Sequence, residues 1–329
     1  MSHLRHVLPM LTILAVLLSA CQGLASTDEA PLVPVSLPMG YVASVQFSPF
    51  YVAKERGYFD DAGFEVRFDY RWETDGIQLV AAGELPFTVA SGDQVIQARS
   101  QGLPVVAVAS WYQRFPVGVI ALENVPLNSP GDLRGLSVGI PETFGASYIG
   151  LRALLSAGGL TEDDIDLRAI GYTQLAALTT GQVDAVVVYA NNEPVVLAEE
   201  GTPFNAIYVA DYADMVSAVI ASSDSYTEQH PQAVRRFVAA FLMGLEDVIE
   251  GPEEAFEISE TYIEGLDDNS EEQWAVLLAS IDLWETPQLG RFEAEAWSEA
   301  QDVMFNAGLI EERVPVEDLY TNEFIQDGP

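Results

Sequence analysis

The chain has 329 residues, 49% of them hydrophobic, with 50 Asp and Glu against 14 Lys and Arg, a formal net charge of −36. There is ample apolar side chain for a large core, while the charge repels phosphate backbones and anionic lipid surfaces and so argues against nucleic acid as a partner. The acidity itself reads as a solvated, soluble surface rather than an acid-specific function.

In chain order, residues 1–20 read as a signal peptide. Arg5, flanked by His3 and His6, opens a short basic region, residues 7–18 are almost purely apolar, and Ser19 and Ala20 precede Cys21. That apolar run falls short of the roughly 20 residues a membrane-spanning helix needs. Cys21 is the only cysteine, so no internal disulfide can form. Residues 21–37 are rich in Ser, Thr, Pro and acid without periodicity and read as a flexible tether. The stretch Leu18-Ser19-Ala20-Cys21 resembles the bacterial lipobox, which implies that Cys21 becomes a lipid-bearing N-terminus after cleavage.

The roughly 290 residues that follow exceed the size at which one core usually stays undivided, so two lobes are expected. A strand and its loop occupy 33–45, and a helix at 48–57 starts at a Ser cap with Pro49 in its first turn. An alternating strand at 64–70, a helix at 76–83, a buried strand at 87–90, a helix at 93–102 and a strand at 105–110 complete the first series. From Asn128 a second series repeats the pattern, with strands at 136–140, 167–170, 185–188 and 207–209 alternating with helices at 147–157, 172–180 and 194–200. After a strand at 217–221 the character changes to amphipathic helices at 231–249, 252–262, 271–284 and 291–307. The β/α alternation predicts an α/β fold in which each lobe is a mostly parallel sheet flanked by helices. The first lobe is expected at 38–118 with 222–329, the second at 119–221, with the C-terminal helices packed on the first lobe. The strands at 117–122 and 217–221 are the expected hinge between them.

Several segments carry a resemblance. Residues Gln46-Phe47-Ser48-Pro49-Phe50-Tyr51-Val52-Ala53, Gly57-Tyr58-Phe59 and Gly63-Phe64-Glu65-Val66 are similar to the opening of the periplasmic solute-binding family that includes the aliphatic sulfonate, taurine and thiamine-pyrimidine binders. Further matches run through Leu79-Val80-Ala81-Ala82-Gly83-Glu84, the segment from Ala98 to Val106, Leu133-Arg134-Gly135-Leu136 and Leu178-Thr179-Thr180-Gly181. The resemblance implies a two-lobed periplasmic-binding-protein fold with a ligand cleft between the lobes, served by strand ends and helix N-termini. It also implies an ABC importer whose permease and ATPase subunits are the protein partners, with membrane contact through the lipid anchor alone, on the extracytoplasmic face.

Polar and aromatic residues at those turns are the candidate ligand contacts. They are Gln46 and Phe47 in the opening segment; Trp72 and Asp75; Ser91 and Asp93; and Trp111 and Tyr112 between the lobes. The second lobe adds Phe144, Ser147 and Tyr148; Tyr172; and Tyr189, Asn191, Asn192 and Glu193. Some have mundane uses as well: Thr74, Ser91 and Thr173 can cap helices and Trp111 can plug a core. A sulfonate or phosphate site calls for Arg or Lys at a helix start, yet these turns carry Asp75, Asp93, Glu142 and Glu193. Aromatic walls with Asn, Ser and carboxylate edges suit a planar heterocycle rich in N–H and hydroxyl donors. The turn Tyr189-Ala190-Asn191-Asn192-Glu193-Pro194 resembles the acidic turn of the thiamine-pyrimidine binders. Ser91-Gly92-Asp93-Gln94-Val95 with Trp111-Tyr112-Gln113 resembles their riboflavin-binding relatives. Riboflavin is the expected ligand, with formylaminopyrimidine or hydroxymethylpyrimidine as the alternative.

An enzymatic role is not expected. A fungal pyrimidine synthase shares the implied fold, but that activity goes with an iron-binding cysteine cluster, and here there is only Cys21. His3 and His6 fall in the signal peptide and His230 stands alone before Pro231, so neither a catalytic triad nor metal-ligand spacing is present. No cofactor is expected either. An extracellular ligand-sensing module, or an adhesin, would use the same lipid anchor and is the remaining alternative.

Overall fold

Apolar residues alternate at Val35, Leu37 and Met39, and this one-sided burial makes β1 (Val33–Gly40) a strand. The computed structural model describes residues 31–325. The expected signal peptide, Cys21 and the first part of the tether lie outside the described residues. The tether also ends earlier than expected, because residues 33–37 already belong to β1. From Val33 onward the chain forms one compact unit; of the segment before it only Pro31 and Leu32 are described.

After β1 come α1 (Ser48–Glu55), α2 (Tyr58–Asp61) and β2 (Phe64–Trp72), which pairs parallel with β1. Ser48 is the first helical residue rather than the cap, since a short turn at Val45–Phe47 precedes it and its hydroxyl donates back to the Val45 carbonyl at 2.6 Å. Next follow α3 (Glu73–Ala81), β3 (Thr88–Ser91), α4 (Gly92–Ser100) and β4 (Val105–Ser110). The second series is β5 (Val117–Leu122), β6 (Ser137–Ile140), α5 (Gly145–Ala157), β7 (Asp166–Ala169), α6 (Gln174–Thr179), β8 (Ala185–Tyr189), α7 (Glu193–Glu199) and β9 (Phe204–Tyr208). Strand β10 (Ala218–Ser223) leads into α8 (Asp224–Gln229), α9 (Pro231–Glu250), α10 (Pro252–Ser259), α11 (Ser270–Trp284) and α12 (Ala294–Asn306).

The sheets run β1-β2, β3-β10-β4 and β7-β6-β8-β5-β9. The strands joined by helical crossovers, β1 with β2 and β6 with β7 and β8, are parallel as expected. The two that enter from the other lobe, β5 and β10, run antiparallel to their neighbours. This corrects the expected hinge. All of β5 is bonded to β8 and β9, and β10 is bonded to β3 and β4, so neither strand is free to bend. The chain crosses between the sheets in the preceding stretches, 111–116 and 209–217.

The C-terminal helices divide between the lobes. Helices α9 and α10 pack on α1, where a methyl group at Gly244 would stand 2.3 Å from the Pro49 carbonyl oxygen, so only glycine lets α9 approach. Helix α11 also reaches α7, and α12 lies against α5 and α4. The reason is apolar: Trp297 and Met304 of α12 share a core with Leu151 and Leu154 of α5. The other large core is aromatic, with Phe87 and Phe237 stacked at 3.9 Å between ring centroids and Phe50, Phe59, Phe241 and Trp284 around them. Each such ring removed from water contributes roughly 1.5–3 kcal/mol. No helix among the described residues is long and apolar enough to cross a membrane.

Candidate ligand-binding site

Strand ends and helix starts from both series converge on one cavity of about 1140 Å³, its open mouth included. One wall comes from the end of β1, the β2–α3 turn and the crossing segment after β4. The other comes from the end of β6, the start of α5, the start of α6 and the β8–α7 turn.

Eleven of the residues expected from sequence line it: Gln46, Phe47, Trp72, Trp111, Tyr112, Phe144, Ser147, Tyr172, Tyr189, Asn192 and Glu193. Deep in the first wall the aromatics are anchored, whereas Trp72 at its rim is 50% exposed. Phe47 is 5% exposed and Trp111 2%, and Trp111 packs on Phe47 at 5.4 Å, edge-on to Phe50 at 5.2 Å and against Trp284 at 5.8 Å. On the second wall Phe144 and Tyr172 are 50% and 54% exposed. Both reach across the mouth, Phe144 edge-on to Trp72 at 6.2 Å and Tyr172 edge-on to Tyr41 at 5.4 Å.

Five expected residues do not line the cavity. Asp75 is solvent-exposed, because α3 begins at Glu73 and not at Gly76, which carries residue 75 past the cavity edge. Tyr148 turns away on α5, donating its hydroxyl to Glu162 at 2.6 Å beneath the Arg152 guanidinium. Asn191 serves as a strut, its amide donating to Tyr112 Oη at 3.2 Å and Ser280 Oγ at 2.7 Å. Ser91 and Asp93 lie just behind the surface. The Ser91 N–H and hydroxyl donate to Glu73 Oε2 at 3.0 and 2.6 Å, and Asp93 accepts from the amide of Gln94, which does face the cavity.

Four further lining residues, Tyr41, Glu73, Gln94 and Gln174, are not among the contacts expected from sequence, and Glu142, expected at a cleft turn, lines the cavity too. Their signal was positional. Tyr41 directly follows a strand, and Glu73, Gln94 and Gln174 sit in the first turn of α3, α4 and α6. Gly40 explains how Glu73 reaches inward: with φ +79° it turns the chain, and a Cβ there would stand 2.5 Å from Glu73 Cγ.

The electrostatics are one-sided. Among the described residues no Lys, Arg or His lines the cavity, whereas Glu73, Glu142 and Glu193 do. Burial, with the nearby charge of Asp93 adding to it, pushes the Glu73 carboxyl up to about 7. Burial alone pushes Glu193 up to about 7, although its Oε2 accepts the Tyr189 N–H at 3.1 Å. Burial likewise raises Asp93. The Tyr189 phenol is raised by burial first and by the charge of Glu73 second. Tyr112 goes to about 12 through burial, and Tyr41 to about 12 through burial and then the charge of Glu193. Donors come from the amides of Gln46, Gln94, Gln174 and Asn192. Gly145, Ala146 and Ser147 begin α5 without a side-chain cap, so the N–H groups of that first turn can serve a ligand carbonyl. Among the described residues no group of three or more His, Cys, Asp or Glu could hold a metal ion.

Comparison with known proteins agrees with this architecture. The chain is 40% identical to the riboflavin-binding protein RibY of Chloroflexus aurantiacus over 92% of this chain and 89% of that one. It is 31% identical to the formylaminopyrimidine-binding protein of Halalkalibacterium halodurans over 94% and 96%. Its fold superposes on the periplasmic aliphatic sulphonate binding protein SsuA of Escherichia coli with TM-score 0.70 at 14% identity, covering 91% of this chain and 92% of that one. The NMT1/THI5 like family description matches residues 44–255. The family match over residues 44–255, with 40% and 31% identity to two binding proteins over nearly the whole of each chain, places the chain in the NMT1/THI5-like family.

Proposed function

We propose that the protein is the substrate-binding lipoprotein of an ABC importer, that it captures riboflavin in this cavity, and that it performs no catalysis of its own. The observation that carries the reading is a cavity walled by aromatic rings and edged by carboxyls with no cation. That arrangement occurs in a chain 40% identical to a riboflavin-binding protein over 92% of its length. Trp111, Tyr112 and Phe47, inclined to one another and packed in place, offer an aromatic wall for an isoalloxazine ring, and Phe144, Tyr172 and Trp72 cover it from the mouth. The carboxyls of Glu73 and Glu193 accept from the ring N–H and the ribityl hydroxyls, while the first turn of α5 donates to the ring carbonyls. Bound ligand and closed lobes would then be presented to the permease and ATPase, with lipid on Cys21 holding the protein at the extracytoplasmic face. If so, Cys21→Ser releases the protein into the medium with its ligand affinity intact, whereas retention at the membrane refutes the anchor.

A pyrimidine such as formylaminopyrimidine is the second reading, supported by 31% identity to a binder of that ligand. A fluorescence titration separates the two. Stacking on Trp111 or Tyr112 gives excited flavin an electron-transfer route, so riboflavin emission falls and saturates at one equivalent. Unchanged emission at micromolar protein, together with tight binding of the aminopyrimidine, transfers the assignment to the pyrimidine.

A further inference from the structure

We propose that the cavity selects its ligand by charge: Glu73 and Glu193, set in opposite walls, admit an uncharged heterocycle and turn away its phosphomonoester. The inference rests on the functional reading above and adds to it the form of the ligand that is accepted.

Both carboxyls are held in place rather than mobile. Glu73 is fixed through Oε2 by the Ser91 N–H and hydroxyl, and its stem passes over the only kind of residue that leaves space for it, Gly40. Glu193 is 9% exposed and fixed through Oε2 by the Tyr189 N–H. Among the described residues Oε1 of Glu73 carries no such hydrogen bond and is available to a ligand donor, while the Glu193 carboxyl also accepts from its own backbone N–H. The groups around them offer no compensation. Facing Glu73 are Asp93 on α4 and the phenols of Tyr172 and Tyr189; facing Glu193 is the phenol of Tyr41; Glu142 lines the same space. Helix α11, packed on α7, brings Asp282 rather than a base to that side. The nearest arginine in sequence to Glu73, Arg71, is engaged with Asp69 at 2.8 Å, and Arg114 is exposed and outside the lining.

A phosphate dianion has acceptors only, so it meets acceptor oxygens and like charge at once. The open first turn of α5 opposes this, but a helix start amounts to about half a unit of positive charge, less than the two carboxylates carry once the pH exceeds about 7 and both have ionised. In a poorly solvated cavity each ionised carboxylate should weaken a phosphomonoester by roughly tenfold relative to its parent alcohol. A phosphorylated vitamin must therefore lose its phosphate, by a phosphomonoester hydrolase, before capture.

The test is the ratio of dissociation constants for riboflavin 5′-phosphate and riboflavin. It is measured by calorimetry above the pH of about 7 at which both carboxyls ionise, in the wild type, Glu73→Gln and Glu193→Gln, with 4-amino-5-hydroxymethyl-2-methylpyrimidine and its phosphate as a second pair. Wild type should prefer riboflavin by roughly 100-fold, each Gln variant should narrow that preference by roughly tenfold whatever it does to riboflavin itself, and added salt should narrow it too. A ratio near one in wild type, or a large ratio that both variants leave unmoved, overturns the charge assignment; the latter is what rejection by size alone would give. If riboflavin does not bind but the pyrimidine does, the riboflavin reading fails and the second pair still decides the charge rule. Failure of both pairs to bind overturns both.

Discussion

Trp111 and Phe144 face the same cavity from opposite sides, yet they are held very differently. Trp111 packs against Phe47, Phe50, Tyr112 and Trp284 within an aromatic core, and is 2% exposed; Phe144 touches only the edge of Trp72 among aromatic rings and is 50% exposed. The deep part of the first wall is thus ordered by folding itself, before any ligand arrives, whereas Phe144 and Tyr172 of the second wall sit on turns ahead of α5 and α6. A site built this way meets its ligand with one face already in place and gains the rest when the second wall closes on it.

The largest expected effect follows from that contrast. Trp111→Ala should abolish riboflavin binding and also destabilise the protein by about 3–5 kcal/mol, since it empties part of the core as well as the cavity wall; urea unfolding and a titration read the two losses together. On the other side, Phe144→Ala or Tyr172→Ala should weaken binding by about 1–3 kcal/mol, by analogy with base stacking on aromatic rings. The same unfolding curve should move by less than about 0.5 kcal/mol, as for other surface substitutions. A comparable loss of stability in Phe144→Ala would erase the distinction between the walls.

The smallest effect concerns the empty protein and the carboxyls of Glu73 and Glu193. Glu73 and Glu193 are both raised from 4.5 to about 7, so between those values the native state holds more protons than the unfolded chain. Their contribution to stability is complete below about 4.5 and is lost as the pH rises through about 7. Thermal unfolding should therefore show a decline across that window, superimposed on the general repulsion of so acidic a chain. The double variant Glu73→Gln with Glu193→Gln should flatten the decline; an equally steep profile would mean that these two groups do not titrate there.

The fold was largely legible in the sequence because apolar runs and their helical or alternating spacing report burial directly. Every strand and helix the reading placed from residue 33 onward has a counterpart, while the one-turn α2 and the short α8 went unread. Boundaries at helix N-termini were less legible, and they mattered. Starting α3 at Gly76 instead of Glu73 put Asp75 in the site and left Glu73 out. Side-chain direction within a turn was not legible at all: Tyr148 and Ser147 are neighbours in sequence, and one faces Glu162 while the other faces the cavity. Asn191, so suggestive of a ligand contact, is spent on Tyr112 and Ser280, a partner 89 positions away that no local pattern announces. The hinge was misplaced for a similar reason, since strand pairing, which immobilises β5 and β10, depends on residues far along the chain.

The central claim is that a cavity without cations takes an uncharged planar ring system, and calorimetry of riboflavin binding at low and at high salt tests it most directly. The expected result is one site per chain with an affinity that salt barely changes, because no ion pair forms on binding. Absence of any heat with riboflavin, alongside tight and strongly salt-sensitive binding of an alkanesulfonate, would contradict the account.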